Sequence, residues 1–134
     1  MKLLLSGLAA SLASVAQDKK AMPSKAAPFE SLPVKVNGAN RGRDVLAGYT
    51  RQGFYVDLHE TELAPGLMPH APHRHENEEV MMLQTGTLEV TISGKVTKVG
   101  PGSVVYVASN EEHGWRNIGS TNANYFVMAF GRKT

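Results

Sequence analysis

His73-Arg74-His75-Glu76-Asn77-Glu78-Glu79-Val80-Met81-Met82-Leu83-Gln84-Thr85-Gly86 is the stretch on which the fold turns. Alternate side chains of an extended chain share a face, so His73 and His75 point one way together. Glu79, a further even step on, joins them if the segment stays extended. Met81 and Leu83 keep the parity of Glu79 and would line the same cavity with apolar surface. Val80 and Met82 make the other face apolar too, as in a central strand. A fourth histidine, His113, follows one hairpin-rich segment later. Two imidazoles and a carboxylate from one ribbon, with a third imidazole from another, suit one divalent ion of the borderline class (Fe, Mn, Zn, Ni or Co), with room left for water or a small substrate. The plainer alternative is a solvated, His-rich strand connection without metal, and a lone His-x-His pair does not separate the two.

The flanking sequence reads as β structure. Phe54, Val56 and Leu58 alternate with Tyr55, Asp57 and His59 until Ala64-Pro65-Gly66 stops the strand. Glu78 to Gln84 and Thr87 to Ile92 are strands joined through Thr85-Gly86, and Ser93-Gly94 is a two-residue hairpin turn into Lys95 to Val99. Pro101-Gly102 suits a type II turn before the apolar run Ser103 to Val107. Gly114 to Ile118 and Ala123 to Phe130 complete the set. About eight short strands at close spacing, with no internal helix, predict an all-β antiparallel sandwich or barrel. Closure would also hide the sheet edges.

Residues 1–16 have the form of a secretory signal peptide: Lys2, an apolar run from Leu3 to Ala13, then the small residues of Ser14-Val15-Ala16. An ordinary N-terminal helix is the alternative. The run is shorter than the roughly 20 residues needed to span a bilayer. Export to the periplasm or the extracellular space is therefore expected, with no membrane association after cleavage. The chain has no cysteine, so neither a disulfide framework nor lipid attachment at the cleavage site is available. Residues 17–47, rich in Ala, Lys, Pro and Ser and then in turn residues from Asn37 to Gly42, read as a mobile leader and N-terminal arm, and residues 48–134 as the barrel. The formal charge is +2, and its lysines and arginines are scattered, which argues against a nucleic-acid surface. There is no P-loop, dinucleotide fingerprint or Gly-x-Ser-x-Gly elbow.

The histidine pattern resembles the cupin superfamily. That family's first motif runs Gly, five residues, His-x-His, three or four residues, Glu, six residues, Gly; here His73-x-His75 is followed by three residues, Glu79, six residues and Gly86. Its second motif runs Gly, five residues, Pro-x-Gly, two residues, His, three residues, Asn; here Gly102 is followed by five residues, Ala108-x-Asn110, two residues, His113, three residues and Asn117. Three departures stand out. Six residues rather than five separate Gly66 from His73, Ala108 replaces Pro and loses turn rigidity, and Asn110 replaces Gly with the residue next best suited to a left-handed turn.

The resemblance implies a jelly-roll barrel (a double-stranded β-helix) with His73, His75, Glu79 and His113 as ligands of one divalent metal ion. It implies a homodimer, with Gly38 to Thr50 as the arm that reaches a neighbouring barrel. It also implies a small-molecule metalloenzyme of dioxygenase-like type acting on phenolic, enol or acid substrates, with Glu79 as ligand or catalytic base. Lyase, decarboxylase and isomerase reactions occur on the same scaffold, and fold alone does not choose among them. The alternative is a non-catalytic metal- or small-ligand-binding module, since no acid–base pair stands out beyond the ligands. Among the remaining residues, His70 reads as a loop histidine, His59 as a strand surface residue, and Glu76 and Glu78 as solvated. Trp115 shares the parity of His113 and either caps the cavity or packs in the core. Asn117 reads as a brace, and Tyr106, Tyr125 and Phe126 as core or interface aromatics.

Overall fold

The computed structural model describes residues 20–132. The signal-peptide expectation for residues 1–16 lies outside them. Among the described residues, nine antiparallel strands form two sheets. The larger runs in the order β1 (Lys35–Asn37), β2 (Asn40–Tyr49), β3 (Tyr55–Leu63), β9 (Ala123–Gly131), β4 (Glu78–Thr85), β7 (Val104–Val107); the smaller runs β6 (Lys95–Val99), β5 (Leu88–Ile92), β8 (His113–Asn117). Their inner faces meet in one core. Leu63, Met81, Leu83, Val105, Val107, Ala123, Tyr125 and Val127 come from the larger sheet, Leu88, Val90 and Trp115 from the smaller. This is an all-β jelly roll.

Turn chemistry sets the strand order. Ser93 and Gly94 both take positive φ, 46° and 82°, as a type I′ hairpin requires. Gly102 has φ 85°, as position i+2 of a type II turn requires. Gly86 is packed against backbone: at φ 91°, a Cβ there would stand 2.7 Å from Ala123 Cα.

The inner face of β3 is the opposite of the one that simple alternation selects. Phe54 is exposed, while Leu63 is fully buried and pairs with Ala123, and Thr61 pairs with Tyr125. β9 decides this, because its buried residues Ala123, Tyr125 and Val127 lie opposite Leu63, Thr61 and His59, and directly opposed residues share a face. Outward-facing Glu60 is nonetheless fully buried. Arg43 Nη1 donates to Glu60 at 2.8 Å and to Glu62 at 2.9 Å, Asn124 donates to the other Glu60 oxygen, and the Phe29 ring lies 4.3 Å from the guanidinium. A buried carboxylate so paired is tolerated, and removing its cation alone would leave Glu60 a buried charge without its cationic partner.

β1 and β2 take up residues 35–49, which composition assigns largely to the arm. Gly38 to Thr50 does not reach away from its own barrel: β2 pairs with β3 from Arg41 opposite Glu62 to Tyr49 opposite Tyr55. The strand lacks apolar alternation because its charges are spent on neighbours, Arg43 on β3 and Asp44 on Lys35. Ahead of it, the segment from Ala21 lies along β2, with Met22 N donating to Tyr49 O at 2.7 Å and Lys25 Nζ to Val45 O at 2.6 Å.

Gly86→Ala is expected to lower unfolding free energy by roughly 1–3 kcal/mol, through backbone strain and the clash with Ala123. Gly66→Ala, where the added Cβ meets nothing within 4 Å, bears only the strain and should cost less. Urea denaturation of both variants checks the order, and equal losses would contradict it.

Candidate metal centre

The four residues grouped by the sequence pattern meet. One ligand atom from each of His73, His75, Glu79 and His113 lies within 4.8 Å of all the others. Backbone stitching brings them together. His73 N donates to His113 O at 3.0 Å and His113 N to His73 O at 2.9 Å, an isolated antiparallel bridge between the entry segment and β8. Asn110, at φ 62°, donates its N–H to His75 O at 2.8 Å, so the left-handed turn that Asn permits ties the second motif to the first. Glu79 sits on the inner face of β4 opposite Val107, with Met81 and Leu83 continuing that face in the core.

The imidazole tautomers follow from their partners. His75 Nδ1 lies 2.7 Å from Asn77 O and His113 Nδ1 lies 2.9 Å from Glu111 O. A carbonyl only accepts, so each Nδ1 carries a proton and each Nε2 faces inward, as a lone pair wherever the ring is neutral. Those lone pairs face a carboxylate: His75 Nε2 is 2.9 Å from Glu79 Oε1 and His113 Nε2 is 3.3 Å from Glu79 Oε2. Lone pairs at that range repel unless a cation, proton or metal, stands between them. His113 Nε2 and Glu79 Oε2 are buried without a hydrogen-bond partner, as expected of atoms reserved for an ion. The donor set also fits: at metal–ligand bonds of about 2.0–2.2 Å, opposed ligands stand about 4 Å apart, close to the present spread. Burial lowers the pKa of His73, and His70, His113 and His75 lower it further, which keeps a ligating nitrogen free of its proton.

Other side chains brace the group. Trp115 is buried, lies against His113 with ring centroids 6.0 Å apart and meets Tyr125 edge-on at 5.7 Å, so it is both core and cavity wall. Burial pushes the Tyr125 hydroxyl up to about 12. Asn117 is a brace: its amide donates to Leu63 O and Thr121 O at 2.8 Å each and accepts from Gly119 N at 2.9 Å. His70 stays outside the group of four but stacks on His73 with centroids 4.0 Å apart, a contact that spacing alone does not disclose. His59 is on the surface beside Asp57, and Glu78 lies on the face opposite Glu79.

Residues 59–129, just over half of the chain, match the family model described as the cupin domain. The chain is a cupin. A 64-residue segment is 31% identical to L-ectoine synthase from Bordetella parapertussis, covering 47% of this chain and 49% of that protein. This cupin thus spans about half the length of the curated relatives it matches. Among solved structures it resembles KdgF from Halomonas sp. (TM-score 0.67, 15% identity, 80% of this chain and 94% of that one). It also resembles an RmlC-like cupin from Shewanella frigidimarina (TM-score 0.65, 16% identity, 80% and 91%) and the polyketide cyclase RemF from Streptomyces resistomycificus (TM-score 0.64, 18% identity, 80% and 79%). At these identities the likeness is one of fold.

His75→Ala is expected to abolish stoichiometric binding of added Mn, Ni or Zn while leaving circular dichroism unchanged, because the apolar core excludes His75. Unfolding of that variant would make the ion a structural one. Since imidazoles ligate only when neutral, bound metal should be released as pH falls through and below about 6.5, the free imidazole value. Elemental analysis after gel filtration checks this, and full retention at about pH 4 would contradict a histidine site.

Proposed function

We propose that this cupin is a small-molecule metalloenzyme of dioxygenase-like type, holding one divalent ion on His73, His75, Glu79 and His113. The observation that carries the reading is the pair of inward Nε2 atoms set against the Glu79 carboxylate, with His113 Nε2 and Glu79 Oε2 buried and without a hydrogen-bond partner. A divalent ion held there would supply the Lewis acidity that stabilises the oxyanion of an enol or phenol. The chain's own residues do the rest. Asn77 O and Glu111 O hold the two rings in one tautomer, and Trp115, Met81 and Leu83 keep the interior dry. Glu79 Oε2 is the atom that can take a substrate proton. A second reading, a non-oxidative lyase, decarboxylase or isomerase reaction at the same residues, is supported by the synthase name of the relative that matches by sequence.

Export and a homodimer belong to the same proposal. The composition of residues 1–16 supports the first. The apolar row Leu58, Met128 and Val80 on the outer face of the larger sheet, with exposed Met82 one row along, supports the second.

The test loads the protein with Fe(II) without oxygen, then follows oxygen uptake and substrate loss over a panel of phenols, enols and small hydroxy acids. Substrate-dependent oxygen uptake is expected. Substrate loss without oxygen uptake would select the second reading, and a stoichiometrically loaded protein that turns over nothing would contradict an enzyme.

A further inference from the structure

We propose that the seam between β6 and β7 is a binding site for a small amphipathic organic anion, with its charged group on Lys95 and its apolar part between the sheets. β7 ends the larger sheet and β6 the smaller, and no ladder joins them. A cleft of about 510 Å3 opens there, within the range of about 300–1,000 Å3 usual for small-molecule sites.

Register shows which way its walls face. Val99, Thr97 and Lys95 lie opposite Leu88, Val90 and Ile92, so they share the face that carries the core. Leu88 and Val90 are buried, yet Lys95 and Thr97 are exposed. The core face of β6 is therefore partly uncovered: Ile92 and Val99 are only partly buried, and the cleft is lined by Val90 on one side and Val105 on the other. Lys95 projects from that inner face with no ion-pair or hydrogen-bond partner among the described residues. The other charge on the lining, Glu111, already accepts from Ser93 Oγ at 3.0 Å. An apolar wall with an unpaired lysine at its edge, and Glu111 tied to Ser93, matches a carboxylate or sulfonate that docks on Lys95 and carries a compact apolar body.

The cleft is not the metal centre. None of the four grouped residues lines it, although Ile92 pairs with His113 and Val105 with Met81, so its inner end lies one strand away from them. The site does not require the metal reading and can be tested without metal.

The probe is 1-anilinonaphthalene-8-sulfonate, an amphipathic anion whose fluorescence rises in apolar surroundings, titrated against metal-free protein. N-phenyl-1-naphthylamine serves as its neutral analogue. One sulfonate site per chain is expected. Lys95→Met should weaken the anion about tenfold or more, the scale of one charge-assisted contact, and leave the neutral analogue unchanged. Thr97→Phe, at an exposed strand position that tolerates an aromatic residue, should fill the cleft and abolish both. Thr97→Ile serves if that variant does not fold. Binding indifferent to Thr97→Phe would put the probe elsewhere and overturn the site. Anion affinity unchanged in Lys95→Met, with that variant forming oligomers, would make Lys95 a guard of an open sheet edge instead. Loss of probe sites as protein concentration rises and dimers form would make a second copy the occupant. Each of those three results contradicts the proposal.

Discussion

Two imidazole Nε2 atoms and a carboxylate confront one another at the mouth of this barrel, and each imidazole is held there by a backbone carbonyl. His75 and His113 have their Nδ1 protons committed to Asn77 O and Glu111 O. Glu79 has no donor for Oε2. Rotating any of the three away would break a backbone hydrogen bond or bury a bare charge, and either costs more than an exposed polar contact returns. A shared cation removes the conflict. Either a proton on an imidazole Nε2 or a metal ion among the four residues can be that cation.

The rest of the molecule keeps that confrontation in place. Glu79 comes from β4, His113 from β8 in the other sheet, and the two histidines of the first motif from the segment that joins β3 to β4. Reciprocal hydrogen bonds between His73 and His113, and the bond from Asn110 to His75, fasten that segment to the second motif. Asn117, fully buried, pins the end of β8 to Leu63 on β3. The apolar core beneath consists of residues that take no part in the polar group, each fully buried aliphatic side chain contributing about 1.5–3 kcal/mol. Stability and chemistry are thus carried by different side chains, so site variants can be read without loss of the fold.

Much of this is visible in one dimension because alternation in a strand is strict. The parity of Glu79, Met81 and Leu83 follows from counting, and the structure keeps it, whereas His73 and His75 reach Glu79 across a bend at Glu76 and Asn77. Turn positions such as Gly94 and Gly102 are legible because only certain residues take positive φ without strain. What counting misses depends on partners distant in the chain. Val56 and Leu58 look inward by hydrophobicity, but β9, some seventy residues later, presents its buried face to Thr61 and Leu63 instead. β2 is hidden because Arg43 and Asp44 disguise a strand whose charges are matched across the sheet. The stacking of His70 on His73 and the partly uncovered inner face of β6 are likewise facts of three-dimensional packing.

The direct test is the X-ray absorption spectrum of the protein loaded with one equivalent of Zn or Mn. The shared-cation account predicts a first shell containing three imidazole nitrogens, with their outer-ring scattering, and carboxylate oxygen, at about 2.0–2.2 Å. A shell of water oxygens with one imidazole or none would mean that His73, His75, Glu79 and His113 do not close on an ion, and the account would fail.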